Sequence, residues 1–220
     1  MRKKRTIIRW FINEMAWVVP RHLAYFLFGR CDKRLERVFA SELSEMLKVK
    51  DSSLRLRRIT NQDGKHAYTL YAKTLPTFSF NHDCCVRDVI GKFLHDQGTQ
   101  NVSFEKPADA SILQYRFEMD NGHMDETQLR EKVLKHYMNG NIQIIFIMRH
   151  RELPELEIER LKKIVEISKD LFYDKPNRIL VACYSEFLAD GKLYNQKGEE
   201  KLSAKIESSP QLLQNNPHRL

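Results

Sequence analysis

Apolar residues recur at helical spacing through the first part of the chain. Ile7, Ile8, Phe11, Ile12 and Met15 share one face of a helix that Thr6 can cap and that runs to about Trp17. Pro20 opens a second helix at a position proline favours, Leu23, Ala24, Phe26, Leu27 and Phe28 supply its core face, and Gly29 ends it. Asp32 can cap a third helix, Lys33 to about Leu47, with Leu35, Val38, Phe39, Leu43 and Met46 or Leu47 turned inward. The period then shortens. Leu54–Thr60 and Lys65–Tyr71 flank Asn61-Gln62-Asp63-Gly64, the pattern of a β-hairpin.

Lys73–Phe80, with Pro76, reads as a linker. A helix from about Cys85 to Asp96 turns Val86, Val89, Ile90, Phe93 and Leu94 inward. Strands are expected at Val102–Glu105 and Ile112–Glu118, then a helix carrying Leu129, Val133, Leu134 and Tyr137, a strand at Ile142–Met148, a long amphipathic helix at Pro154–Leu171 and a strand at Arg178–Cys183. Ile142–Met148 is expected to be central, and Phe187 and Leu188 to extend the sheet edge. The class is α+β: a small helical domain with a hairpin (1–75), a small mixed α/β sandwich (76–190) and, where apolar residues thin out, a largely disordered tail (191–220).

Charge sharpens that division. Residues 1–75 hold 17 of the 37 Lys and Arg but only 7 of the 29 Asp and Glu, so the whole basic excess of the +8 chain lies there. A polyanion-binding module joined to a near-neutral domain follows. Cys31, Cys84, Cys85 and Cys183 lack zinc-site spacing and read as reduced thiols of a cytoplasmic protein. The basic start is followed by no signal-peptide pattern, and no run is long enough to cross a bilayer, so no membrane role is expected.

Three short helices and a hairpin with a basic strand describe a winged helix. The third helix would enter the major groove of double-stranded DNA, presenting Lys33, Arg34, Arg37 and Ser41, while Arg55, Arg57, Arg58 and Lys65 would meet phosphates. The plainer reading is a small helical core with a solvated basic face.

The second half offers candidate chemistry at Phe117-Glu118-Met119-Asp120-Asn121-Gly122 and Leu129-Arg130-Glu131-Lys132. Glu118 and Asp120 alternate onto one side of their strand, so both could meet a divalent metal, with Arg130 and Lys132 on the following helix. Solvated charges at a strand end, paired along the helix, are the plainer alternative. No glycine-rich phosphate loop is present, and His82-Asp83 reads as a turn with a satisfied histidine.

These pieces together, with Pro107-Ala108-Asp109 and Tyr137, resemble the replication-relaxation family of plasmids and integrative elements, over most of residues 6–185. The resemblance implies a role in mobile-element replication or mobilisation beside a relaxase or replication initiator. It also implies a second domain resembling the restriction-endonuclease fold, whose sites set an aspartate, a second acid and a lysine around magnesium; carried over, these are Asp109, Glu118, Asp120 and Lys132. The pattern departs at Ala108, at Asp120 where lysine is usual, and in showing no turn between Asp109 and Glu118. A straight strand would part those acids by roughly 30 Å, unless a bend near Asp109, or Glu105 as a substitute, restored the site. The expectation is therefore a DNA-binding accessory protein with a nuclease-like domain that no longer cleaves and serves assembly, through homodimerisation or docking to a relaxase or replication initiator. The alternatives are a magnesium-dependent nuclease or nickase and a dimeric transcriptional repressor.

Overall fold

The computed structural model describes residues 2–49, 55–71, 76, 79–104, 108–137, 143–149, 154–171 and 178–203. The first part runs α1 (Arg2–Glu14), β1 (Trp17–Val18), α2 (Pro20–Phe28), α3 (Lys33–Lys48), β2 (Arg57–Thr60) and β3 (His66–Thr69). Two expected caps are present: Gly29 closes α2 in the left-handed region, and the Asp32 carboxylate accepts the Leu35 N–H at 2.8 Å. Thr6 is not a cap, because α1 already begins at Arg2, and Trp17 lies in β1 rather than at the end of α1. The hairpin is antiparallel, and β1 adds to it in the order β1-β3-β2.

The second part is α4 (Phe80–Gln97), β4 (Ala110–Ile112), β5 (Tyr115–Asp120), α5 (Glu126–Tyr137), β6 (Gln143–Met148), α6 (Pro154–Leu171), β7 (Ile179–Cys183), α7 (Tyr184–Asp190), β8 (Lys192–Asn195) and β9 (Glu200–Leu202). The strands form one sheet in that order, β5, β6 and β7 parallel and the outer strands antiparallel, with β6 central as expected. Alternate residues face two cores. Tyr115, Phe117, Met119, Ile145 and Ile147 pack towards Phe93 and Ile90 of α4, while Ile144, Phe146 and Met148 pack towards Leu129 of α5 and Ile164 of α6. The class is mixed α+β.

Several expectations are corrected. Ile112–Glu118 is not one strand: Leu113, at φ 53°, turns the chain between β4 and β5. Val102–Glu105 contributes only a bridge from Ser103 to Ser111 among its described residues, and Glu105 lies outside them. Phe187 and Leu188 lie on α7 rather than on a sheet edge. The expected disordered tail holds two strands, β8 and β9, pinned by buried Leu193 and Asn195; residues 204–220 lie outside those described. Val38 is 46% exposed instead of buried.

The break expected near residue 75 is not a break in packing. One buried cluster runs from Ile8, Phe11 and Leu23 through Val86, Ile90 and Phe93 to Tyr115 and Phe187. Asp88 of α4, fully buried, joins three elements: it accepts from Arg21 Nε of α2 at 3.0 Å and from the Tyr184 hydroxyl of α7 at 2.7 Å. Arg87 caps the turn after α1, donating to the Met15 and Trp17 carbonyls and stacking on the Trp17 ring at 3.9 Å. Among the described residues no helix is long and apolar enough to cross a membrane.

Candidate functional site

The β4–β5 turn decides whether the acids meet. Ala110 pairs with Phe117 across the hairpin, so Asp109, one step beyond, sits beside Glu118, where cross-strand neighbours lie about 5 Å apart. The roughly 30 Å separation of a straight strand therefore does not arise. Asp109 is tied down by its own strands: its N–H donates to the Phe117 carbonyl at 3.0 Å, and its carboxylate accepts the Met119 N–H at 2.7 Å.

Ala110, Ile112, Phe117 and Met119 belong to the core under α4, which places Asp109, Glu118 and Asp120 together on the opposite face. There α5 and α6 supply cations. Asp125 and Gln128 hold the start of α5 reciprocally, each side chain accepting the other's backbone N–H at 2.8 and 3.1 Å. The next residue, Leu129, packs against the sheet, and Lys132 reaches back so that its ammonium contacts the Glu118 carboxylate. Asp120 accepts from Arg160 Nε of α6 at 2.8 Å and from the Gly122 N–H at 2.7 Å. Arg130 points elsewhere, 4.0 Å from Asp170.

The third cation comes from α4, which begins at Phe80 rather than near Cys85. His82, expected in a turn, lies in its first turn with Nε2 3.5 Å from Asp109 and Nδ1 3.2 Å from Asp83. Hydrogen bonds to Asp109 and Asp83 raise its pKa to about 10, against the opposing effect of burial, so His82 is an imidazolium at neutral pH. Burial pushes Asp109 up, but His82, Lys132 and the Met119 N–H outweigh it and hold the carboxyl below its ordinary range. Burial works against the Lys132 charge, while Glu118, Asp109 and Asp120 more than restore it and raise its pKa.

The four residues marked in the sequence, Asp109, Glu118, Asp120 and Lys132, are thus brought to one place. His82 and Arg160 complete the cluster. The adjacent acid and basic character of His82-Asp83 was visible in the sequence; nothing local singled out Arg160 among the charges of α6. Among the described residues no group of three or more His, Cys, Asp and Glu side chains is arranged to hold a metal ion. The donor set that could contribute to a magnesium site is the Asp109–Glu118 pair, since magnesium is held by one or two carboxylates with waters and substrate phosphates. Glu118 and Asp120 are 1% exposed, so a cation would reach Glu118 only after Lys132 swings aside.

The candidate DNA-contact residues divide. Lys33, Arg34, Arg37 and Ser41 are exposed on α3, and Arg55, Arg57 and Arg58 are exposed on or just before β2. Lys65 is half-buried, its ammonium donating to the Asn81 side chain at 3.2 Å and lying 5.6 Å over the Phe80 ring. Pro107, and the side chain of Tyr137, lie outside the described residues. No family model, curated protein or solved structure matches the chain.

Proposed function

We propose that this is a double-stranded DNA-binding protein of the winged-helix type whose nuclease-like second half serves assembly rather than cleavage, in the setting of plasmid or mobile-element replication or mobilisation. The exposed basic face of α3 carries the reading. Arg34, Arg37, Val38 and Ser41 stand outward on one stripe, and the element order with its β1-β3-β2 sheet supports a third helix free to enter a major groove. The second half supports an assembly role through Leu134, Leu156 and Ile158, apolar and exposed on α5 and α6. A relaxase, a replication initiator or a second copy of the chain is the kind of partner expected there.

The test is fluorescence anisotropy of the full chain with duplex DNA across a salt series. About 6–10 phosphate contacts lose roughly 10³–10⁵ in affinity between about 50 and 200 mM salt. Binding that is flat over that range sinks the proposal. Within it, Arg34→Ala relaxes sequence preference by about 1–3 kcal/mol where the side chain reaches a base edge. Arg57→Ala weakens all sequences alike, because a phosphate contact carries no base information.

One observation favours a second reading, a magnesium-dependent nuclease or nickase: Asp109, Glu118 and Lys132 converge. In that reading Asp109 and Glu118 hold the metal, which supplies an activated water and steadies the leaving oxygen. Lys132 stabilises charge on the phosphate, and Arg160 orients Asp120. Against it stands the pairing of each acid with a protein cation. Incubating plasmid and single-stranded DNA with the protein and magnesium or manganese separates the two. Cutting that Glu118→Ala and Asp109→Ala both abolish establishes the nuclease; intact DNA leaves the binding protein.

A further inference from the structure

A second site lies where the two halves meet. A cleft of about 530 Å³ opens between the starts of α2, α3 and α4 and the hairpin turn. Its walls bring together Arg21, Lys33, Arg37, Lys65, His66 and Asn81. Glu36 is the opposing acid in the lining. Lys33 and Arg37 form no ion pair among the described residues, and the Lys65 ammonium rests on a neutral amide, Asn81, at 3.2 Å. Arg21 alone is matched, by Asp88 beneath it. Positive charge therefore exceeds negative in an open concave space, which focuses the field on an approaching anion. Carboxylate, phosphate and sulfate would all feel that charge; the mixture of guanidinium, ammonium and amide donors suits a tetrahedral oxyanion best.

We infer that this cleft binds a phosphate group, and that its occupant is a backbone phosphate of the DNA engaged by α3, so that α4 of the second half forms part of the DNA-binding surface. The inference rests on the proposed DNA binding and changes how two residues act. Arg37, facing the cleft, meets phosphate, which leaves base reading to Arg34. Lys65 acts from the cleft wall with Asn81 instead of from a free hairpin tip.

The variant that tests it is Asn81→Asp in the full chain. A carboxylate at the first turn of α4 suits the helix and pairs with Lys65, so the fold is retained, as a thermal melt checks. It also repels a phosphate. We expect duplex affinity to fall about tenfold and the slope of log affinity against log salt to lose about 1. Inorganic phosphate should shift the His66 ring resonances of the wild type, and leave those of Asn81→Asp in place. If wild type and variant bind duplex with equal affinity and slope, the cleft holds no DNA phosphate and the inference fails while DNA binding stands. Should the wild type bind no duplex at all, the proposed function falls. A His66 response to inorganic phosphate that Asn81→Asp loses would then still mark a phosphate site, for a free ligand; no response would remove that too.

Discussion

Individual side chains in the acid cluster are held in charge states that give direct handles. His82 has a folded pKa of about 10 against an ordinary 6.5, so its ion pairs stabilise the fold fully below about pH 6.5 and lose that contribution as pH rises through 10. Asp109 works in the opposite sense: its contribution is present above its ordinary value of 3.8 and is lost as pH falls through its lower folded value. Urea unfolding of wild type and His82→Gln should therefore differ most near pH 6.5 and converge by about pH 10. A constant difference over that window would show that His82 is not titrating against Asp109. Lys132 gives a second prediction. Lys132→Met leaves Glu118 buried without its cation, at a cost of about 2 kcal/mol, below the roughly 3–5 of a fully buried pair because Lys132 remains 24% exposed at its side chain. Adding Glu118→Gln should recover most of the loss. An unrecovered double variant would mean that Lys132 stabilises by packing, not by charge.

Among the elements, the β4–β5 hairpin had the largest consequence for the site and the least sequence signal. Leu113-Gln114 offers no glycine, proline, asparagine or aspartate, and the flanking residues read as one apolar run. The turn is imposed by what its strands bury, with Ile112 and Tyr115 fully inside, and Leu113 accepts a left-handed backbone to allow it. Leu113 is 48% exposed, so little packing opposes a change. Leu113→Gly should stabilise by about 0.5–1 kcal/mol, the relief of a left-handed side-chain residue less the entropy glycine loses. A destabilised variant in a thermal melt would place the Leu113 side chain in a contact that matters. By contrast α2 and α3 were legible to within a residue or two because their ends carry chemistry of their own: Pro20, Gly29 and Asp32. Strands β8 and β9 are illegible in the sequence for the same reason in reverse. Lys192–Asn195 and Glu200–Leu202 are polar strands at a sheet edge, where one buried leucine, Leu193, suffices. The acid cluster itself was legible as residue types, whereas His82 and Arg160 come from helices distant in sequence, and only the tertiary fold supplies that proximity.

Across the whole molecule, charge and packing divide the chain differently. Charge changes sign near residue 75, but apolar contact does not stop there. The face of α2 that holds Leu23 and Ala24 packs on α4, and Gly91 of α4 lies so close that an added Cβ would stand 3.1 Å from the His22 carbonyl oxygen. His22 is fully buried against this contact, where desolvation keeps its ring neutral, and Arg21 depends on Asp88 across it. A fragment ending at residue 75 carries the basic surface without the helix that buries its underside. Exposing that face removes apolar burial worth about 25 cal/mol per Å² from a module too small to spare it. The prediction is that residues 1–75 alone show no cooperative thermal transition, whereas residues 1–97, which keep α4, show one of reduced midpoint relative to the full chain. Circular dichroism melts of the three proteins at matched concentration decide it. A cooperative 1–75 fragment would make the basic module an independent domain and α4 a mere neighbour. Absence of a transition in 1–75 with its return in 1–97 would make α4 a structural part of the module it touches.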